Sequence, residues 1–318
     1  MRNRCRVLGP IFFILLLLTA HGQSPPDAIE AYNSGCELYL KGDFERAIAN
    51  FTRAIELSSH PDIQRRKSEA GMAFASDAPD SRQITLIDPL TALALTNRAL
   101  ARFRNGDLEG ALADCDRGLA INPGLLVLYS NRAAIRWAKG DHAGAISDYG
   151  LVIRKNPRDA RTYDSRGNCR MDNGDLAGAL ADFDEAIRLE PHSAELYCDR
   201  GTASLKKDDV SSALADFERA VALQPDLARA YYCRGTALCR KNELNRALAD
   251  FTEAIERDPS MALAYGNRGL VRLRLGQSRE AERDFAECLK LDSSIEPELR
   301  VRIEDEKLRL ARAMKDEI

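Results

Sequence analysis

Two sets of residues in this chain are of a type that does chemistry: its cysteines, and an arginine row matched by an aspartate row. Cys36, Cys115, Cys169, Cys198, Cys233, Cys239 and Cys288 follow a leader segment that holds Cys5. None forms a CxxC pair, and His21, His60, His142 and His192 are scattered, so the residues call for no metal site. An odd set of seven also excludes a fully paired disulfide framework. Two readings of the thiols stand: small core filling, or one bridge or reactive thiol among them. The arginines Arg98, Arg132, Arg166, Arg200, Arg234 and Arg268 recur every 34 positions, and such a row could hold anions. Yet Asp114, Asp148, Asp182, Asp216, Asp250 and Asp284 recur at the same interval, each 16 positions after its arginine. The spacing therefore reads as a structural ion-pair ladder, each pair contributing ~0.2–1 kcal/mol if partly exposed. No GxSxG, HExxH, phosphate-loop or dinucleotide fingerprint is present. Because acids and bases recur in rows instead of meeting at one place, no catalytic residue and no cofactor is assigned, and the chain reads as a non-enzyme.

The same interval organises the elements that carry these residues. Pro123, Pro157, Pro191, Pro225 and Pro259 form a row, as do Tyr129, Tyr163, Tyr197, Tyr231 and Tyr265. Small residues Ala99, Ala133, Gly167, Gly201, Gly235 and Gly269 make another row, and Cys115, Tyr149, Phe183, Phe217, Phe251 and Phe285 another. Within one unit, Tyr163, Gly167 and Arg170 keep helical spacing, Asn173-Gly174-Asp175 interrupts it, and Ala179, Phe183 and Ala186 resume it before Pro191. Helix, turn, helix, stop is the reading. Gly174 suits the left-handed end of the first helix and Asp175 the N-cap of the second. The turn degrades to Asp208-Asp209 and Asn242-Glu243 in later units.

An aromatic, a small residue, a Gly-containing turn, Ala, an aromatic, Ala and Pro at these offsets resemble the tetratricopeptide repeat. The resemblance implies an all-α fold, a right-handed α-α superhelix or solenoid of tandem helix-turn-helix repeats. It assigns residues 28–61 to a first repeat, 62–91 to an insertion, 92–295 to repeats two to seven, and 296–318 to a helix that caps the stack. The insertion reads as a surface loop or as a partner-binding arm.

A formal net charge of −3, made more negative when Arg2, Arg4 and Arg6 leave with the leader, argues against nucleic acid as partner. Those arginines precede an apolar run from Ile11 to Leu18 and the small residues of Ala20-His21-Gly22, the pattern of a signal peptide. Residues 1–22 are thus expected to be removed by cleavage between Gly22 and Gln23, giving a secreted or periplasmic protein. An uncleaved leader anchoring the chain to a membrane is the alternative.

The resemblance also implies what the protein does, since the family's shared trait is to bind other proteins. In such repeats the first helix of each unit lines a concave groove. Carried over by position, the groove presents Leu93, Asn97, Leu100, Phe103, Val127, Asn131, Ala134 and Trp137, an apolar strip with two amides. Further along it presents Arg161, Asp164, Asn168, Glu195, Thr202 and Arg229. Asn33, Asn97, Asn131 and Asn267 are candidates to hold a peptide backbone through their side-chain amides. Phe103 and Trp137 have a second reading, as packing between neighbouring first helices. The basic clamp with which some relatives grip a terminal carboxylate is not matched, its slots holding Tyr32, Val127 and Asn131. An exported scaffold that binds a protein or peptide is therefore the expected function. The alternatives are a carbohydrate- or cell-wall-associated module using Tyr39, Phe103 and Trp137, and a non-catalytic subunit of an enzyme complex.

Overall fold

A computed structural model describes residues 24–58 and 89–316. The expected leader and most of the expected insertion lie outside these residues. Among the described residues every regular element is helical. Helices α1 (Pro26–Leu40), α2 (Phe44–Ser58), α3 (Pro89–Arg104), α4 (Leu108–Ile121), α5 (Leu126–Lys139) and α6 (His142–Lys155) belong to a unit that ends at Pro157. A second unit begins at Arg158. It holds α7 (Ala160–Asp172), α8 (Leu176–Leu189), α9 (Ala194–Lys206), α10 (Val210–Leu223), α11 (Ala228–Arg240), α12 (Leu244–Arg257), α13 (Ala262–Arg274) and α14 (Ser278–Leu291). A 3-10 turn, Ser293–Ile295, then leads into α15 (Glu296–Asp316).

Each consecutive pair is an antiparallel hairpin, and within each unit the second helix of one pair packs against the first helix of the next. Two boundaries differ from the sequence reading. Helix α1 begins at Pro26 and α3 at Pro89, in each case with proline opening the helix. Proline has no amide hydrogen to contribute and its fixed φ suits a first turn. Leu90 and Thr91, assigned to the insertion, are consequently buried core residues.

The turn between paired helices requires one left-handed residue. Gly174 supplies it at φ +84°, and where glycine is missing Asp208 and Asn242 take φ values of 67° and 60°. The following aspartate closes the turn: Gly178 N donates to Asp175 Oδ1 at 2.9 Å, and Ser212 N to Asp209 Oδ1 at 3.0 Å. The small and aromatic rows meet face to face. A Cβ added to Gly201 would lie 2.6 Å from Phe217 Cε1, and one added to Gly167 2.8 Å from Phe183 Cε1. The two units in which Ala99 and Ala133 replace the glycine are those in which Cys115 and Tyr149 replace phenylalanine. At Ala99 the added Cβ goes with the small Cys115, whereas opposite Ala133 the position keeps an aromatic ring, Tyr149, so only the first exchange trades ring volume for the Cβ.

Candidate functional site

Each arginine of the ladder sits on a first helix and grips the aspartate of its own second helix through two parallel hydrogen bonds. Arg132 donates from Nε to Asp148 Oδ2 at 2.9 Å and from Nη2 to Oδ1 at 2.7 Å. Arg98 does the same with Asp114 (2.9 and 2.6 Å) and Arg166 with Asp182 (2.9 and 2.6 Å). The remaining pairs, Arg200 with Asp216, Arg234 with Asp250 and Arg268 with Asp284, repeat the geometry. All six aspartates are buried. In five of the pairs the guanidinium also lies over the tyrosine one turn earlier, as Arg132 does over Tyr129 at 5.4 Å. Arg132 further donates to Asp116, and Arg200 to Asp184, both on the preceding second helix of the same unit. These carboxylate bonds, led by those to Asp148 and Asp216, hold both guanidinium groups above their ordinary pKa. The ladder's Nε and Nη2 donors are therefore spent on helix pairing, not offered to an outside anion.

A second arginine row escaped the sequence reading. Arg102, Arg136, Arg170 and Arg272 each donate from Nη1 to Oδ2 of the buried aspartate of their own repeat, the oxygen that already accepts from the ladder Nε, at 2.9, 2.7, 2.8 and 2.8 Å. Their recurrence at the repeat interval was the available signal. The row lapses at Ser204 and Leu238, which made it less visible.

On the face of the first helices, neighbours touch laterally. Asn97 Nδ2 donates to Tyr32 Oη at 2.9 Å, and Asn267 Nδ2 to Tyr232 Oη at 3.2 Å while its Oδ1 accepts from Arg302 at 2.7 Å. Asn168 donates to Asp164, and Arg229 pairs with Asp199. These four polar side chains, expected to face a partner, thus bond inside the protein. Leu100 is buried, Leu93 is packed against the same core, and Phe103 packs against the core formed by Ala99, Ala111, Cys115 and Leu128. Val127 is half-buried and Asn33 exposed. Trp137 is 6% exposed and Tyr39 9%, which leaves little ring face on which a sugar could stack. Of the three aromatics of the carbohydrate reading, Phe103 alone is half-buried instead of buried.

Asn131 differs from its counterparts. It is 5% exposed, and its Nδ2 has no hydrogen-bond partner among the described residues. Across the row, Asn97 has Tyr32 opposite it and Asn267 has Tyr232, each phenol accepting the amide.

None of the seven cysteines is joined in a disulfide, and Cys36, Cys115, Cys169, Cys198 and Cys288 are buried. Burial pushes the Cys36 thiol up to about 11 and that of Cys115 up to about 12. Thiols so held are protonated and poor nucleophiles, which favours core filling over the reactive-thiol reading. Among the described residues no group of three or more His, Cys, Asp or Glu could hold a metal ion, and no helix is long and apolar enough to cross a membrane.

A profile described as Tetratricopeptide repeat matches residues 74–125, 130–194, 198–262 and 232–294, and another with that description matches residues 31–61. A search of curated proteins found no match. Among solved structures, a tetratricopeptide repeat protein from Parabacteroides merdae aligns with a TM-score of 0.67 at 19% identity, covering 88% of this chain and 100% of that one. PilW, described as a widely conserved type IV pilus biogenesis factor, aligns with a TM-score of 0.59 at 19% identity, covering 70% of this chain and 100% of its own. At such identity these likenesses speak for the fold alone. With repeat profiles spanning well over half of its length and the matching helix pairs in place, the chain belongs to the tetratricopeptide repeat family.

Proposed function

We propose that this protein is an exported scaffold that binds a peptide or protein along the first-helix face of its first unit. Membership of the family supports protein binding in general. The observation that carries the specific reading is Asn131, a buried amide donor with no partner. Leaving such a group unsatisfied costs about 1–3 kcal/mol, so a peptide that displaces the side chains covering the amide and brings a backbone carbonyl to it would return part of that energy to the complex. Val127 on α5 with Asn131, and Phe103 on α3, the first helix of the preceding repeat, are both half-buried and supply apolar surface. Export rests on the leader, with cleavage between Gly22 and Gln23; an uncleaved leader would make the protein membrane-anchored instead.

Binding is tested by screening an array of extended peptides against the chain from Gln23 to Ile318, then repeating the titration with Asn131→Ala. Peptides whose affinity falls tenfold or more with that variant support the reading, while affinity unchanged by it removes Asn131 from the site. Sequencing the N-terminus of the exported protein tests the leader; an intact Met1 would exclude cleavage.

A further inference from the structure

Asn97 on α3, Asn131 on α5 and Asn267 on α13 occupy the same place in their repeats. The amide of Asn97 donates to two acceptors on α1, Tyr32 Oη at 2.9 Å and Cys36 Sγ at 3.6 Å. Asn267 repeats the first of these bonds, donating to Tyr232 Oη on α11 at 3.2 Å. Tyr232 precedes Asn267 by 35 positions, and Tyr32 precedes Asn97 by the same interval once the insertion is discounted. On α3, opposite Asn131, the residues that stand in the places of Tyr32 and Cys36 are Thr96 and Leu100. Leu100 offers no acceptor. Thr96 turns its hydroxyl back into its own helix, donating from Oγ1 to Ala92 O at 2.8 Å, and its side chain ends far short of where a tyrosine carries its phenol. Both acceptors that serve Asn97 are thus missing at Asn131, whose buried Nδ2 has no partner among the described residues.

We infer that the peptide bound at this site carries a tyrosine, whose phenol oxygen accepts from Asn131 as Tyr32 and Tyr232 accept from Asn97 and Asn267. The inference rests on the peptide-binding reading of Asn131 and narrows it to one side-chain chemistry. An amide nitrogen has two hydrogens, so a backbone carbonyl and a phenol can be held together, in the way Asn97 holds Tyr32 and Cys36. Among side-chain acceptors the phenol suits the surroundings best. Asn131, Thr96 and Leu100 are all buried, so a carboxylate would bring an uncompensated charge out of water. Serine and threonine hydroxyls stay close to their own backbone. Tyrosine places an oxygen at the end of an apolar ring, and Leu100, one turn after Thr96, and Val127, one turn before Asn131, offer that ring apolar flanks. Because the amide is covered, the ring enters only as side chains over it move aside, which makes association slower than docking on an open face. Phenylalanine could bury the same ring but would leave the amide unsatisfied, as it is without the peptide.

The test titrates array peptides in pairs that differ only in tyrosine or phenylalanine at one position, against the chain from Gln23 to Ile318 and against its Asn131→Ala variant. The expected result is that the tyrosine member binds the unaltered chain about tenfold more tightly, and that the two members bind Asn131→Ala equally. Equal affinities on the unaltered chain, or a tyrosine preference that survives Asn131→Ala, would overturn the inference. Peptides that need Asn131 yet tolerate phenylalanine leave the peptide-binding reading standing and remove the tyrosine, whereas an array in which nothing binds removes both. Thr96→Tyr gives a second measurement, since it supplies a phenol from within the protein, as Tyr32 does. That variant should show a higher Tm and bind the tyrosine peptide about tenfold or more weakly. A folded Thr96→Tyr that binds the peptide at full strength also counts against the inference, and if this variant does not fold, the paired peptides decide.

Discussion

Replacing Asn131 by leucine separates folding from recognition more sharply than any other single change. The Asn131 Nδ2 is buried without a partner among the described residues, and the residue is 5% exposed. Leucine has the same number of side-chain heavy atoms as asparagine, with bulkier methyl ends, and carries no donor. Removing the desolvated amide recovers about 1–3 kcal/mol, less whatever strain the branched end introduces, so a net gain of about 1–2 kcal/mol is expected. For a cooperative unit of ~150 residues that corresponds to a Tm rise of roughly 2–8 °C. A peptide whose carbonyl bonds to Asn131 should bind the variant about tenfold or more weakly, since a neutral hydrogen bond contributes ~0.5–1.5 kcal/mol and the apolar end must also exclude the carbonyl. Urea denaturation measures the first effect and isothermal titration calorimetry the second. Destabilisation together with unchanged peptide affinity would refute the reasoning, because it would show that Asn131 serves the fold and not the face.

Other expectations concern the scaffold. Asp148→Ala leaves Arg132 and Arg136 without their shared acceptor and should cost about 3–5 kcal/mol by chemical denaturation, far more than loss of an exposed pair. Gly201→Ala drives a Cβ against the Phe217 ring and should cost about 1–3 kcal/mol, with a smaller residue at Phe217 recovering part of it. Asp208→Gly relieves a left-handed aspartate at φ 67° and should raise stability by about 0.5–1 kcal/mol in the same assay.

Much of this protein can be read from the interval of 34 residues. A contact made within every unit leaves the same residues at the same offset in every copy. Arg98 with Asp114 and Gly167 with Phe183, each 16 positions apart, are contacts of that kind, and so are the turns at Gly174 and Asp208. Their physics is local to one hairpin, so the rows disclose both the helices and the way they pair. The face of the first helices follows a different logic. Which residue stands opposite Asn97, 65 positions from Tyr32 across the insertion, depends on how one repeat is laid beside the next, as does the meeting of Asn267 with Tyr232. No row of one residue type marks these pairs, because the contact position is filled by different side chains from repeat to repeat. Tertiary structure alone decided that Asn97 and Asn267 have phenols to accept their amides and that Asn131 has none. Residues that do not repeat take their role from the neighbour placed across from them, and only the stacked helices determine that neighbour.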